Sequence, residues 1–291
     1  MNNYDRTKKG KFIVINNRKI LASPEQFLFQ NNLFKSYSLL LALKNKIPVS
    51  RTIVLTSIDS VDVLEEYCGK YNRPMMLRMD YENFPSAYNK FIGGIPIYKL
   101  DTLKKICRFL FNNNYVPVLQ PYSNRFNNVY NINCSLSDEK DELYIELTGK
   151  GFDAGDLRLG IIGSHEKIVF DYKFWKILSR EIIPPQEYVS SKRKRESYIA
   201  KMEAYIKYVN NNNKLLNDIS MLEEEKYNFE LDENYVPVSK GTIEEIALLS
   251  YLIRKKILPL LPFSKDYIAS ISILENNKTV LWDIYGEWYY R

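Results

Sequence analysis

The sequence predicts an α+β fold, and three observations carry that expectation. Short apolar, β-branched runs bounded by turn residues recur from about residue 49 onward. Stretches of helical apolar spacing lie between them. Two strand pairs joined by tight turns, at 129–148 and 268–284, favour antiparallel neighbours over a doubly wound parallel sheet.

The elements follow in order. Residues up to about Asn32 read as a basic extension with a short strand at Lys11 to Asn16. Leu33 to Asn45 has a broad apolar face (Leu33, Tyr37, Leu40, Leu41, Leu43), so it is predicted to be helical. Pro48 ends it, and Val49 to Leu55 has strand character. Ser60 is placed to cap a helix running to about Lys70, and Pro74 introduces a strand at Met75 to Arg78. A Tyr- and Asn-rich loop leads to Gly93-Gly94 and the short segment Ile95 to Tyr98. Leu100 to Phe111 is again helical, and Val116 to Gln120 reads as a buried strand. Val129 to Leu136 and Glu142 to Thr148 form a hairpin or meander that runs into glycine-rich residues 149–163. Tyr172 to Asn228 reads as mostly helical, broken at Pro184-Pro185 and at Asn210 to Asn213. Thr242 and Glu245 make a capping box before a helix over Ile243 to Lys256. A hairpin, Ile268 to Leu274 and Thr279 to Ile284, closes the chain.

Composition narrows the function. With 291 residues, 45% hydrophobic and 26% charged, the chain has room for one large domain or two lobes. Its single histidine, His165, excludes a two-histidine relay or a His-rich metal site. Cys68, Cys107 and Cys134 are scattered and fit small apolar side chains in a reducing compartment, so a cytoplasmic protein is expected. No run reaches the roughly 18 apolar residues of a membrane span, so no membrane partner is expected. A net charge of +6 admits an anionic ligand without arguing for nucleic acid.

The chemistry rests on an ordered set of cations, glycines and carboxylates. Lys35 opens a helix that ends thirteen residues later at Ile47-Pro48-Val49, and Arg73-Pro74-Met75-Met76-Leu77-Arg78 sets a second cation four residues past a proline. Gly93-Gly94 follows, then Val116-Pro117-Val118-Leu119-Gln120-Pro121-Tyr122, the meander, and a terminal hairpin with Ser272-Ile273-Leu274 and Leu281-Trp282-Asp283-Ile284-Tyr285. This order resembles the ATP-grasp superfamily. The resemblance implies two α+β lobes enclosing a nucleotide cleft: a 1–32 extension, a first lobe over 33–112, and a second over 113–291 with added helices between about 172 and 257. It further implies that Lys35 and Arg78 hold ATP phosphates, that Gly93 and Gly94 cover them, and that Gln120 meets the adenine. Asp283, with Asp156 or Glu146, would hold Mg²⁺. The chain departs from the family pattern in its glycine loop, which is longer and less glycine-rich, and at four further positions. Arg78 stands for a lysine, Gln120 for an acid, Ser272 or its neighbour for the first metal carboxylate, and Tyr285 for an asparagine. Only 34 residues precede Lys35, so the family's N-terminal Rossmann-like domain is expected to be missing or supplied by another chain.

Residues 144–166 are the densest mixture of glycines and charges, and segments of this kind commonly face ligands. In the ATP-grasp layout Glu146 and Lys150 join the nucleotide site, while Arg158 and His165 are the catalytic candidates. The bland alternative makes these acids turn caps and His165 a hydrogen-bonded surface residue. Lys192 to Arg195 reads as a solvated basic face, with nucleic acid or an acidic partner as the sharper option. The function expected is an ATP-dependent ligase-like enzyme that activates a carboxylate as an acyl phosphate for an unknown small-molecule or peptide acceptor. The alternative is a nucleotide-binding or protein-interaction scaffold of the same fold.

Overall fold

The computed structural model describes residues 6–7, 10–15, 24–31, 33–65, 75–81, 95–97, 100–112, 115–121, 128–137, 140–150, 157, 163–183, 235–261 and 266–286. They belong to two units, each organised on a six-stranded sheet whose paired strands are all antiparallel. The α+β class expected from the sequence holds. No helix among the described residues is long and apolar enough to cross a membrane.

The first unit comprises Met1–Lys44, Val49–Tyr122 and Lys201–Asn228. Its strands are β1 (Arg6–Thr7), β2 (Gly10–Ile15), β3 (Thr52–Leu55), β4 (Met75–Tyr81), β5 (Ile95–Ile97) and β6 (Tyr115–Pro121), in the order β1-β2-β3-β6-β4-β5. Among the described residues its longer helices are α1 (Pro24–Gln30), α2 (Phe34–Lys44) and α3 (Leu100–Asn112). On α3 the buried residues Leu103, Ile106, Cys107 and Leu110 recur at three- and four-residue steps, the stripe that lets a helix lie on a sheet. By contrast α2 is buried all round, from Phe34 to Leu43, and its end is tied to α1 by Lys44 and Glu25.

The second unit comprises Asn45–Pro48, Ser123–Ala200 and Phe229–Arg291. Its sheet runs β10-β9-β8-β7-β11-β12, with β7 (Asn128–Ser137), β8 (Glu142–Thr148), β9 (Glu166–Asp171), β10 (Lys176–Ile182), β11 (Asp266–Leu274) and β12 (Thr279–Gly286). One helix, α4 (Lys240–Lys256), packs on β7. One face of the sheet is apolar, built by Ile132, Cys134, Leu136, Leu143, Ile145, Leu147, Ala269 and Ile271 at alternate positions. There α4 sets Ser250 against Cys134, and Arg254 over the Tyr172 ring with its guanidinium 3.0 Å from Asp141. Burial pushes the Cys134 thiol up to about 12, which the Ser250 hydrogen bond only partly offsets.

Several expectations need correction. Pro24–Gln30 is a helix, which was not expected within the basic extension, whereas the short strand expected at Lys11 to Asn16 is present as Gly10–Ile15. Ser60 lies inside a 3-10 turn (Ile58–Val61) that Ser57 precedes, so it does not cap a helix. The last helix starts earlier than the Thr242 capping box: Ser239 is the cap, accepting the Thr242 amide at 3.1 Å. The largest difference is at 172–182, expected to be helical and found as the turn and strand of the β9–β10 hairpin. Asp171 nucleates that turn, since its Oδ1 accepts the amides of Lys173 (2.7 Å) and Phe174 (3.1 Å), and Trp175 takes a left-handed φ of 51°. β6 pairs with β3 and β4, so residues through Tyr122 fall in the first unit. The helices expected between about 184 and 228, the basic run Lys192 to Arg195, and Cys68 lie outside the described residues.

Candidate functional site

In the first unit, the pairing register puts Met76, Arg78 and Asp80 of β4 directly opposite Gln120, Val118 and Val116 of β6. Side chains opposite each other in an antiparallel pair share a face, so Arg78, Asp80 and Gln120 lie on one side of the sheet. The start of α2 meets that side. Leu33 precedes the helix and has no side-chain oxygen to cap it, and the Asp80 carboxylate does so from β4, accepting the Ser36 amide at 2.8 Å. Lys35, one residue earlier, is buried, as is Asp80. A carboxylate therefore already stands at the anion-favouring end of α2, beside the lysine expected to hold a phosphate. Arg78 is half-buried in mid-strand. Gln120 is fully buried, and its amide nitrogen donates to Thr52 Oγ1 at 2.9 Å, so that donor is engaged within the sheet instead of pointing at a base. Gly93 and Gly94 lie outside the described residues.

The second unit has a polar sheet face opposite its apolar one. Register aligns Glu146 (β8), Asn133 (β7), Ser270 (β11) and Asp283 (β12) as one row across four strands. A second row holds Thr148, Asn131 and Ser272, with Trp282 reaching in from the β12 bulge. Hydrogen bonds knit the rows. Ser270 Oγ donates to Asn133 Oδ1 at 3.0 Å, and Ser272 Oγ donates to Asn131 Oδ1 at 2.6 Å. Trp282 Nε1 donates to Ser272 Oγ at 2.8 Å, and Asn128 Nδ2 to Asn131 Oδ1 at 3.0 Å. Asn131, Asn133, Ser270, Ser272 and Asp283 are each at most 3% exposed. Amides and hydroxyls gathered this densely inside a protein cost desolvation that an apolar face would avoid, and here their mutual hydrogen bonds offset it.

The carboxylates on this face do not converge. Neighbouring strands lie about 4.8 Å apart, so β8 and β12, three steps apart, separate Glu146 from Asp283 by about 14 Å. Ligand oxygens sit about 2.0–2.6 Å from Mg²⁺ or Ca²⁺, so these two acids cannot share one ion. The neighbours of Asp283 in its row are Ser270 and Asn133, both neutral. Among the described residues no group of three or more His, Cys, Asp or Glu is placed to hold a metal. The pairing of Asp283 with Glu146 is corrected accordingly, and Asp156 and Arg158 lie outside the described residues.

His165 is buried just before β9. Its Nδ1 is 2.9 Å from Thr148 Oγ1 and accepts the Gly149 amide at 3.4 Å, and its ring stacks on Tyr235 at 4.8 Å. The surface placement weighed for it is thus corrected to a buried, hydrogen-bonded one. Lys150 is exposed and pairs with Glu275 in the β11–β12 turn at 2.9 Å. Sequence reasoning missed Glu166. It is fully buried, and its carboxylate takes Arg180 Nε at 2.5 Å, Tyr235 Oη at 2.6 Å and the Val238 amide at 3.2 Å. It also missed the Asn and Ser rows. The spacing Asn131-x-Asn133-x-Ser135 against Ser270-x-Ser272 was the available signal, but alternation alone reads as a solvated face.

No protein-family model matches the chain, and no curated protein matches it. Solved structures do resemble it. D-alanyl-alanine synthetase A from Vibrio cholerae aligns at 9% identity over 88% of this chain and 55% of that one, with a TM-score of 0.43. Carboxyaminoimidazole ribonucleotide synthase from Aspergillus clavatus, complexed with ATP, aligns at 8% identity over 89% and 46%, with a TM-score of 0.41. ACD1 from Ca. Korarchaeum cryptofilum, in complex with coenzyme A, aligns at 13% identity over 89% and 95%, with a TM-score of 0.42. The chain thus spans about half the length of the first two. With TM-scores below 0.5, the substrates and ligands of those proteins do not pass to this chain.

Proposed function

We propose that this chain is an ATP-grasp-like, ATP-binding protein of the ATP-dependent ligase class, whose nucleotide lies along the polar face of the second sheet. The observation that carries this reading is the buried lattice of Asn131, Asn133, Ser270 and Ser272, ended by Asp283. Amide and hydroxyl groups donate to phosphate and ribose oxygens without adding negative charge. Glu146 at the end of the first row, and His165 beside Thr148 at the end of the second, are the groups available to orient an acceptor or move a proton. In the proposed reaction a carboxylate oxygen attacks the γ-phosphorus of ATP and releases ADP, and an amine on a small-molecule or peptide acceptor then attacks the acyl phosphate, forming the amide and releasing inorganic phosphate and a proton.

A second reading, nucleotide binding without turnover, has its own observation in the wide separation of Glu146 and Asp283. Among the described residues no group of three or more His, Cys, Asp or Glu could hold a metal, and Glu146 and Asp283 cannot share one ion. ADP release, measured with ATP across a panel of carboxylates and amines, separates the two. Turnover that Asp283→Asn abolishes supports the ligase. ATP binding with no ADP release from any pair supports the scaffold.

A further inference from the structure

The turn joining β9 to β10 is Tyr172-Lys173-Phe174-Trp175, and Lys176 opens β10 directly behind it. Two aromatic rings thus stand between two lysines at the tip of a hairpin. Phe174 is 64% exposed and Trp175 39%. The turn that presents them is held in place. Asp171 Oδ1 accepts the amides of Lys173 and Phe174, and the Trp175 ring packs edge-on against Phe170 at 5.2 Å and against Tyr251 of α4 at 6.2 Å. Trp175 anchors the turn to the second unit, and Phe174 projects from it.

The charge around this tip is positive. The ammonium groups of Lys173 and Lys176 lie 5.5 and 5.3 Å from the centre of the Phe174 ring. Lys255, in the last turn of α4, lies 5.7 Å from the centre of the Tyr251 ring that packs on Trp175. Among the described residues no carboxylate forms an ion pair with any of these three lysines. Asp171 is taken up by the turn amides, and Asp141 by Arg254 at 3.0 Å.

We propose that this tip docks on an anionic lipid bilayer, with Phe174 entering the headgroup layer while Lys173, Lys176 and Lys255 meet lipid phosphates. An apolar ring flanked by ammonium groups is complementary to that boundary, because the ring leaves water while the charges stay beside the phosphates. Each lysine brought near an anionic leaflet strengthens binding by about fivefold. Such a contact lies on the membrane and needs no spanning segment, so the expectation of no membrane partner, which rested on the lack of a long apolar run, does not bear on it. A single-stranded nucleic acid fits less well. Bases stack on free ring faces, whereas ammonium groups lie over Phe174 and Trp175 is edge-on to two neighbours. An acidic protein would need a pocket shaped to the projecting ring, which a fluid bilayer does not.

Co-sedimentation of the full chain with phosphatidylcholine vesicles carrying about 30% phosphatidylserine tests this, with pure phosphatidylcholine as the neutral control. Binding to the anionic vesicles is expected, at least about tenfold weaker to the neutral ones, and released at about 0.5 M salt, where charges are screened beyond about 4 Å. Lys173→Gln/Lys176→Gln should weaken it by at least about tenfold. Phe174→Ser should weaken it by about fivefold, and Phe174→Trp should keep it. All these side chains are exposed, so the melting curves should match wild type. A wild type that ignores anionic vesicles overturns the proposal. So does binding that neither the lysine pair nor Phe174→Ser weakens. Salt-sensitive binding to a single-stranded oligonucleotide with none to vesicles overturns it in favour of nucleic acid.

Discussion

Glu166→Ala takes away the carboxylate that ties β9 to the chain entering α4. In the native protein that group accepts hydrogen bonds from Arg180, Tyr235 and the Val238 amide, at 2.5, 2.6 and 3.2 Å. Truncation leaves a guanidinium without its buried counter-charge and a backbone N–H without its acceptor. Removing one partner of a buried ion pair costs about 3–5 kcal/mol. The Arg180 side chain is 30% exposed, so water recovers part of that cost, and the lower end, about 3 kcal/mol, is expected. Glu166→Gln should rescue less than half. A single amide oxygen cannot serve all three donors, and its NH₂ would face one of them. Urea unfolding followed by circular dichroism gives the global loss. Amide exchange at Val238 gives the local one, and protection there should fall by more than at β7 or β8. A loss below about 1 kcal/mol with unchanged protection at Val238 would refute the clamp.

Three further outcomes follow from the same structure. Asp80→Ala should destabilise by about 1–2 kcal/mol through loss of the cap on α2, and Asp80→Asn by less because its oxygen can still accept the Ser36 amide; equal effects would contradict capping in trans. Burial raises the Cys134 thiol to about 12, so at pH 8 only about one molecule in ten thousand carries the thiolate. A disulfide reagent at pH 8 should therefore spare Cys134 in the folded protein, label it after unfolding, and gain ground only as pH rises towards 12; rapid labelling of native protein at pH 8 would contradict this. Ser272→Ala removes the hydrogen bonds of Ser272 Oγ with Trp282 Nε1 and Asn131 Oδ1, for an expected loss of about 1–2 kcal/mol measured by urea unfolding, and an unchanged midpoint would mean that the row is not coupled.

Much of the architecture was legible because periodicity and packing agree. Glu142–Thr148 is the strand its alternation predicts, and Leu103, Ile106, Cys107 and Leu110 carry α3 as their spacing requires. The 172–182 hairpin was misread because an exposed edge strand has no inward face to impose a two-residue period. Its real marker was Asp171, whose side chain starts the turn. The site was less legible. Lys35 and Arg78 stood out as cations, yet nothing local in the sequence says that Asp80 stands at the start of α2, because that contact joins residues 44 apart. The Asn and Ser rows were invisible for the opposite reason. Polar residues at alternate positions describe a wet face until burial shows that they are enclosed.

The central claim is that ATP binds along the Asn133–Ser270–Asp283 row. Isothermal titration calorimetry with ATP on the wild-type chain and on Asn133→Ala, matched for melting temperature, tests it directly. The account predicts wild-type binding with Kd below about 100 µM and a variant weaker by about tenfold, the worth of one or two hydrogen bonds. A wild type that gives no binding, or a variant that binds ATP as tightly as wild type, would contradict it.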